Sequence, residues 1–244
     1  SRLRGTADLN PDLTGSTRLT DLDGARSLGI TKGTIAFSPN GVVPAIEVDL
    51  SGADTIQDIA ETITAAVREY EADNSVTVLG PGAVGVAGDN LTFDVAAGST
   101  LDFSEVGQGI TAQDLGLTGT VFDSLTPDGA GLNPRLSVLT PISALAGVTQ
   151  PLGSIRFRFA QGGTSTTTDV DLSGAQTIGD LRSAIQTQVP GVRVEINGAG
   201  TGIDLFNEVS GVKMSIEEVP GGALTATELG IRSLSALTRG SDFN

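Results

Sequence analysis

Histidine, cysteine and tryptophan do not occur in the 244 residues, and there is one tyrosine and one methionine. Without His or Cys the chain cannot build a His-based zinc site, a Ser-His or Cys-His nucleophile pair, an iron–sulfur cluster or a disulfide. Lysine stands only at Lys32 and Lys213, each in a stretch that reads as strand or turn, so Schiff-base or Ser-Lys chemistry has two candidates. Carboxylate chemistry and Asp/Glu metal ligation remain, and spacing alone shows neither.

Basic residues are also scarce. Lys and Arg number 14 against 29 Asp and Glu, a formal charge of -15, and no basic face can be assembled to neutralise phosphates. Nucleic acid and anionic membrane are therefore not expected partners. No apolar run approaches the roughly 18 residues of a membrane span. The chain starts at Ser1, with neither Met nor a signal-peptide pattern, which reads as a piece excised from something longer. The lack of thiols leans slightly towards an exported protein.

What is present describes a folded, soluble chain. Apolar residues make up 39% and charged ones 18%, and the mean hydropathy is +0.12, too apolar for a disordered acidic tail. The length suits one large domain or two small ones.

An internal repeat decides for two. Val48-Asp49-Leu50-Ser51-Gly52-Ala53-Asp54-Thr55-Ile56 recurs as Val170-Asp171-Leu172-Ser173-Gly174-Ala175-Gln176-Thr177-Ile178, eight of nine residues matching at an offset of 122. Upstream, Arg18-Leu19-Thr20-Asp21-Leu22 pairs with Arg135-Leu136-Ser137-Val138-Leu139, and Gly33-Thr34-Ile35-Ala36-Phe37 with Gly153-Ser154-Ile155-Arg156-Phe157. Downstream, Thr111-Ala112-Gln113-Asp114-Leu115-Gly116-Leu117 pairs with Thr225-Ala226-Thr227-Glu228-Leu229-Gly230-Ile231. The two ends share a phase as well: Arg4-Gly5-Thr6-Ala7-Asp8-Leu9-Asn10 resembles Arg239-Gly240-Ser241-Asp242-Phe243-Asn244. A repeat of this kind implies a two-module excerpt from a longer array.

Within the first copy, residues 33–38 and 46–50 read as strands of a hairpin turned at Pro39-Asn40-Gly41. Thr55 and Asp58 stand at capping-box spacing and predict a helix start. Ile56, Ile59, Ile63, Val67 and Tyr70 then recur at the spacing of one buried helical stripe. The second copy repeats this with Thr177 and Asp180, then Ile178, Leu181, Ile185 and Val189, and stops at Pro190-Gly191. Strands are expected at 75–79 and 91–95, and at 193–196, 202–205 and 213–217. The fold class is α+β: two tandem repeats, each a mainly antiparallel sheet with one packed helix in a ββαββ-like order. Residues 1–17 are expected to be a linker from a preceding module, 18–119 repeat 1, 120–134 a linker, 135–234 repeat 2 and 235–244 the start of the next linker.

The string Val-Asp-Leu-Ser-Gly-Ala-x-Thr-Ile-x-Asp, the amphipathic helix after it, a strand-turn-strand and a closing Thr-Ala-x-Glu/Asp-Leu-Gly-Ile/Leu together resemble the flagellin hook Ile-Asn (IN) motif. The resemblance covers about residues 18–119 and 135–234. The Ile-Asn pair that names the motif falls where this chain has Ile63-Thr64 and Ile185-Gln186, so both copies lack the Asn, and the long heptad helices of the flagellar tube are also missing. Such modules are inserts in flagellins, hook-filament junction proteins and filament cap proteins. The resemblance implies a non-enzymatic, extracellular structural subunit of the bacterial flagellum, serving motility. Its modules would project into solvent, its partners would be other flagellar subunits reached through the rest of the parent chain, and the isolated piece would be monomeric.

Other readings of single residues are weaker. Asp49, Asp54 and Asp58, with Asp169, Asp171 and Asp180, could suggest calcium, but the tight loop spacing of calcium ligands is absent, and strand ends and helix caps account for them. Residues 80–88 are Gly-rich without the Lys-Ser/Thr of a phosphate loop and read as a mobile hairpin loop. Arg156-Phe157-Arg158-Phe159 reads as a strand with aromatics inward and arginines outward. Glu217 and Glu218, adjacent on a strand, face opposite ways and cannot share a site. No catalytic, cofactor-binding or metal residue is assigned, and no cofactor is expected. The alternative function is a cell-surface adhesin binding glycan or protein, which an exposed aromatic cluster would favour; a carboxylate-based glycan hydrolase would need a convergent acidic pair in a cleft.

Overall fold

The computed structural model describes residues 2–9 and 11–233. In chain order its elements are β1 (Arg2–Leu3), β2 (Thr34–Pro39), β3 (Ile46–Asp49), α1 (Ile56–Asn74), β4 (Leu79–Ala87), β5 (Asn90–Val95), β6 (Leu101–Glu105), α2 (Thr111–Asp114) and β7 (Val121–Phe122). They continue with β8 (Ser154–Gln161), β9 (Thr164–Asp171), α3 (Ile178–Gln188), β10 (Val192–Ile196), β11 (Ile203–Asn207), β12 (Lys213–Glu218) and α4 (Thr225–Glu228). Every strand pair is antiparallel, so the chain is α+β with mostly antiparallel sheets and few helices.

The chain divides into two compact units. One is continuous, Asp12–Arg135; the other is split, made of Ser1–Pro11 and Leu136–Asn244. The continuous unit holds the sheet β3-β2-β6-β7 and the hairpin β4-β5. Its core gathers Ile35, Phe37, Ile56, Ile59, Ile63, Val67, Phe93, Phe103 and Phe122. The hairpin β2-β3 turns as its Asn-Gly step predicts, with Asn40 and Gly41 both at positive φ, 53° and 71°. The split unit holds the sheets β12-β8-β9 and β1-β11-β10, around Phe157, Val170, Leu172, Ile178, Leu181, Ile185 and Leu205.

Both long helices start as their sequences dictate. Thr55 accepts a hydrogen bond from the Asp58 N–H and the Asp58 carboxylate takes the Thr55 N–H, and Thr177 and Asp180 do the same. The apolar stripes are inside: Ile56, Ile59, Ile63 and Val67 in α1, and Ile178, Leu181 and Ile185 in α3. Ile63 lies in the middle of α1.

Several expectations need correction. Residues 80–88, expected as a loop, lie largely in β4, which pairs with β5 at Leu79↔Val95 and again from Val84↔Phe93 to Ala87↔Asn90, with residues 80–83 bulged between the two stretches. Gly80 and Gly82 make this possible, since the Asp94 carboxylate occupies the space their side chains would fill, and it accepts the Gly82 N–H at 2.7 Å. The strand expected at 75–79 begins only at Leu79, after Ser75 ends α1 in the left-handed conformation. In the continuous unit a third strand, β6, follows α1 beyond the two expected, whereas in the split unit the three expected strands are β10, β11 and β12; a one-turn helix, α2 or α4, then follows in each.

Residues 2–9, 11–17 and 120–134, expected as connecting segments, make ordered contacts with the units. β1 pairs with β11, Leu9 and Leu13 are buried, β7 pairs with β6, and Leu132 is fully buried. The upstream pairing of the repeat is also displaced. The Thr17 carbonyl accepts from the Ile56 N–H and the Thr140 carbonyl from the Ile178 N–H, both at 3.0 Å. Arg18 bridges Thr55, as Pro141 bridges Thr177. Arg18–Leu22 therefore corresponds to 141–145, and Arg135 lies at the end of the continuous unit. The start expected for a third linker, 235–244, lies outside the described residues.

Candidate functional site

The carboxylates singled out by spacing are each engaged locally. Asp49 and Asp171 accept the N–H groups of Ser51 and Ser173, both at 2.9 Å, and these bonds hold both carboxyls below the ordinary Asp value. Asp54 pairs with Lys32 at 2.6 Å. Asp58 is held low by the N–H groups of Asp54 and Thr55, and Asp180 by the Thr177 hydroxyl and the N–H groups of Gln176 and Thr177. Asp169 takes two hydrogen bonds from the Arg156 guanidinium, at 2.6 and 2.8 Å, which lowers the carboxyl and raises the arginine. Among the described residues no group of three acidic side chains is placed to hold a metal ion.

The strand readings hold. Phe157 is fully buried while Arg158 faces out, 3.9 Å from Glu217. Glu218 faces the other way and accepts from the Ala226 and Thr227 N–H groups at the start of α4. Among the described residues no aromatic side chain is exposed; the half-buried Phe206 has the guanidinium carbons of Arg193 and Arg2 at 4.4 and 5.3 Å from its ring centre. The split unit has a mostly apolar hollow of about 260 Å³, lined by Val138, Ile178, Val194, Ile196 and Ile203 with Arg182 and Glu195 at its margin.

Spacing did not reveal the buried acids that brace the continuous unit. Glu71, on the last turns of α1, accepts the Val78 and Leu79 N–H groups at 2.6 and 2.7 Å and an Arg68 N–H at 2.7 Å. Burial raises this carboxyl, and the bonds from Leu79, Arg68 and Val78 outweigh it, leaving it below its ordinary value. Asp114 is fully buried and accepts from Arg26 Nε at 2.7 Å and the Thr31 N–H at 2.9 Å. Burial raises it too, and Arg26 and Thr31 bring it below the ordinary value. Its counterpart Glu228 accepts from the N–H and hydroxyl of Thr149. The signal was in the sequence, as one acid inside the otherwise neutral Thr-Ala-x-Asp/Glu-Leu-Gly string. These groups are saturated by donors and serve as anchors.

The feature shared by both units is an edge closed by a segment distant in sequence. In the continuous unit residues 127–132 run along β5: the Pro127 carbonyl accepts from Phe93, and the N–H groups of Gly129 and Leu132 donate to Leu91 and Asp89. In the split unit residues 2–9 run along β11, with Leu3↔Leu205 in register and the Leu9 N–H donating to Thr201. Asp204, almost fully buried, receives Arg2 and the Gly5 N–H on the same edge. Each closing segment also donates an N–H to the glycine after its unit's one-turn helix: Ala130 to the Gly116 carbonyl and Thr6 to the Gly230 carbonyl, both at 2.9 Å.

Residues 156–207 match the family model of the flagellin hook IN motif. The motif opens at Arg156 in β8, takes in the Arg156–Asp169 pair and the Thr177–Asp180 capping box, and closes at Asn207, the last residue of β11. Its final strand is thus the one that β1 completes. Ile185, where the motif's name-giving pair falls, is fully buried in α3. Among solved structures, the flagellar cap protein FliD from Helicobacter pylori aligns with 95% of this chain at 12% identity and a TM-score of 0.27. The chain spans 60% of the length of that protein. No curated protein matches the chain.

Proposed function

We propose that this chain is a surface-exposed, non-enzymatic structural part of a bacterial flagellar protein, of the hook-associated or filament type, and that it contributes to the outer face of the appendage outside the cell. The observation that carries the reading is the hook IN motif over 156–207. The continuous unit is a second module of the same kind. It is supported by the eight-of-nine match between the strings at Val48 and Val170 and by the capping boxes at Thr55 and Thr177. On this reading the chain is two repeats of one unit, each with a ββαββ-like centre, one within the continuous unit and one within the split unit. Its partners are other flagellar subunits, reached through parts of the parent protein beyond these modules. An interior built on aliphatic stripes and braced carboxylates suits a module that must only hold its shape, and a charge of -15 keeps it dispersed.

Immunogold electron microscopy of intact cells, with an antibody against this chain, tests the reading. Label at the hook-filament boundary, at the filament tip or along the filament is expected, and each position names a different parent. Label over the cell body with bare flagella would overturn it.

A further inference from the structure

The sheet β1-β11-β10 ends at β10, and among the described residues no strand lies beyond it. Which of its main-chain groups face that open side follows from the ladder. The Glu208 N–H donates to the Gly191 carbonyl and the Asn197 N–H to the Gly202 carbonyl, in the register that pairs Arg193 with Phe206 and Glu195 with Asp204. Residues 191, 193, 195 and 197 therefore turn their polar groups towards β11, and Val192, Val194 and Ile196 turn theirs outward. The Val192 N–H is taken by the Val189 carbonyl at 3.2 Å. The edge thus offers the N–H groups of Val194 and Ile196 and the carbonyls of all three residues.

Open edges invite another strand, and proteins blunt them with proline, bulges or charge of one sign. β4, which follows α1 as β10 follows α3, is blunted in this way: Pro81 has no N–H, and residues 80–83 bulge between its two paired stretches. β10 reads Val-Arg-Val-Glu-Ile, without proline, glycine or lysine, and its register is unbroken from Val192 to Ile196. In the other sheet of the split unit, Ser233 already bonds Ile216 on the outer side of β12, and β9 bears only acids as charges, Asp169 and Asp171.

The charges of β10 decide what fits it. Laid antiparallel on a second β10 about Val194, the strand places Arg193 opposite the partner's Glu195 and Glu195 opposite the partner's Arg193. Val194 then exchanges both main-chain bonds with the partner's Val194, and the Ile196 N–H donates to the partner's Val192 carbonyl. Arg193 and Glu195 fall between the hydrogen-bonded pairs, where side chains across a ladder stand closest. A slip of two residues either way sets Glu195 against Glu195 or Arg193 against Arg193, so charge admits one register. Ile196 comes beside the partner's Val192 on the face where the hollow of about 260 Å³ opens between Val194, Ile196 and the exposed Val138.

We propose that β10 is the interface between two copies of this chain, joined about a two-fold axis into one continuous sheet. The isolated piece, expected as a monomer, is then one only when dilute. Main-chain bonds and apolar contact supply the attraction, and the arginine–glutamate pairs, individually small, select partner and register. Neither pairing nor its absence changes where an immunogold label is expected, so the flagellar reading stands or falls separately.

Sedimentation equilibrium of the full chain measures the pairing, at about 150 mM salt, where long-range repulsion is screened. A dimer forming in the micromolar range is expected. Arg193→Glu makes both charged positions acidic and Glu195→Arg makes both basic, so each alone should weaken the dimer about tenfold. Glu195→Arg is the sharper of the two, because it adds two positive charges to the formal -15, which by itself would favour association. An equimolar mixture of the two variants restores opposite pairs and should dimerise as the parent does, which excludes misfolding as the cause of the single losses. Amide exchange at Val194 and Ile196 should slow with concentration in the parent and in the mixture. A parent that stays monomeric to about 1 mM overturns the proposal, as does a mixture no better than its components, or single variants that associate like the parent.

Discussion

Gly230 lies directly against Ala7, so closely that a β-carbon on the glycine would stand 2.5 Å from the Ala7 β-carbon. Gly116 meets Ala130 in the same way, at 2.7 Å from its carbonyl oxygen, and both glycines hold positive φ, 67° and 69°. Two independent requirements fall on each: a left-handed backbone and a missing side chain. Gly230→Ala and Gly116→Ala should each cost about 2–4 kcal/mol, because backbone strain and a clash against main chain add. Chemical denaturation checks this. Each change should lower one unit's transition and leave the other's in place.

The helix starts offer a gentler probe. Thr55→Ala and Thr177→Ala each remove the acceptor for one N–H at the first turn and one half of a capping box. Each should cost about 1 kcal/mol. The two caps share no partner, so the double variant should lose about the sum. Thermal unfolding by circular dichroism would show it.

Much of this was legible because it is local. A hydroxyl three residues before a carboxylate, an Asn-Gly step, and apolar side chains at helical spacing located both capping boxes, the β2-β3 hairpin and the stripe from Ile56 to Val67. The closing strands were not legible, since Leu3 pairs with Leu205 across two hundred positions and no local rule links them. The repeated Leu-Asn-Pro at Leu9 and Leu132 was the available clue. β4 was hidden because Gly80, Pro81 and Gly82 spell a loop until Asp94 is placed over the glycines. Nothing local singles out Glu71; its role arises only once the chain turns back and presents the Val78 and Leu79 N–H groups to it.

Arg26 is the partner that keeps Asp114 satisfied. Arg26→Ala would leave a fully buried carboxylate that keeps Thr31 but loses its guanidinium partner. The expected loss is about 1–3 kcal/mol in the continuous unit. Arg26→Lys should restore only part of it, since an ammonium lacks the fixed Nε geometry. Tyr70 is the single tyrosine, it packs on this unit's core, and the chain has no Trp. Its fluorescence therefore reports the continuous unit alone.

Glu71 and Asp114, the buried acids of this unit, contribute to its pH dependence. Glu71 and Asp114 titrate below their ordinary values in the folded unit. Groups of this kind contribute stability that is complete above the unfolded value, about 4, and is lost as pH falls through the lower folded value. Tyrosine-detected unfolding midpoints should thus be level from pH 7 to about 5 and drop below 4. Glu71→Gln should be less stable than the parent at pH 7, and the gap should narrow as pH falls through the parent carboxyl's lowered value. A constant gap across the range would show that Glu71 contributes shape and not charge.

Charge is distributed unevenly, and that makes salt a discriminating variable. Residues 12–135 hold 18 acidic and 5 basic side chains, and the remainder 11 and 9. The continuous unit therefore bears a net -13 and the split unit -2. Self-repulsion of that size opposes compaction at low ionic strength, where the screening length is about 30 Å, and fades near 8 Å at physiological salt. Ion pairs act in the opposite sense, but exposed ones such as Lys32–Asp54 are individually small. Repulsion should win. Raising salt from 10 to 150 mM, both within the range those lengths describe, should stabilise the continuous unit by about 1 kcal/mol, seen as a rise of several degrees in the tyrosine-detected midpoint. The split unit, followed by amide exchange in β11, should barely respond. Equal responses in the two units would mean that their stability is set by apolar burial and the braced carboxylates alone, with net charge left to govern only dispersion in solution.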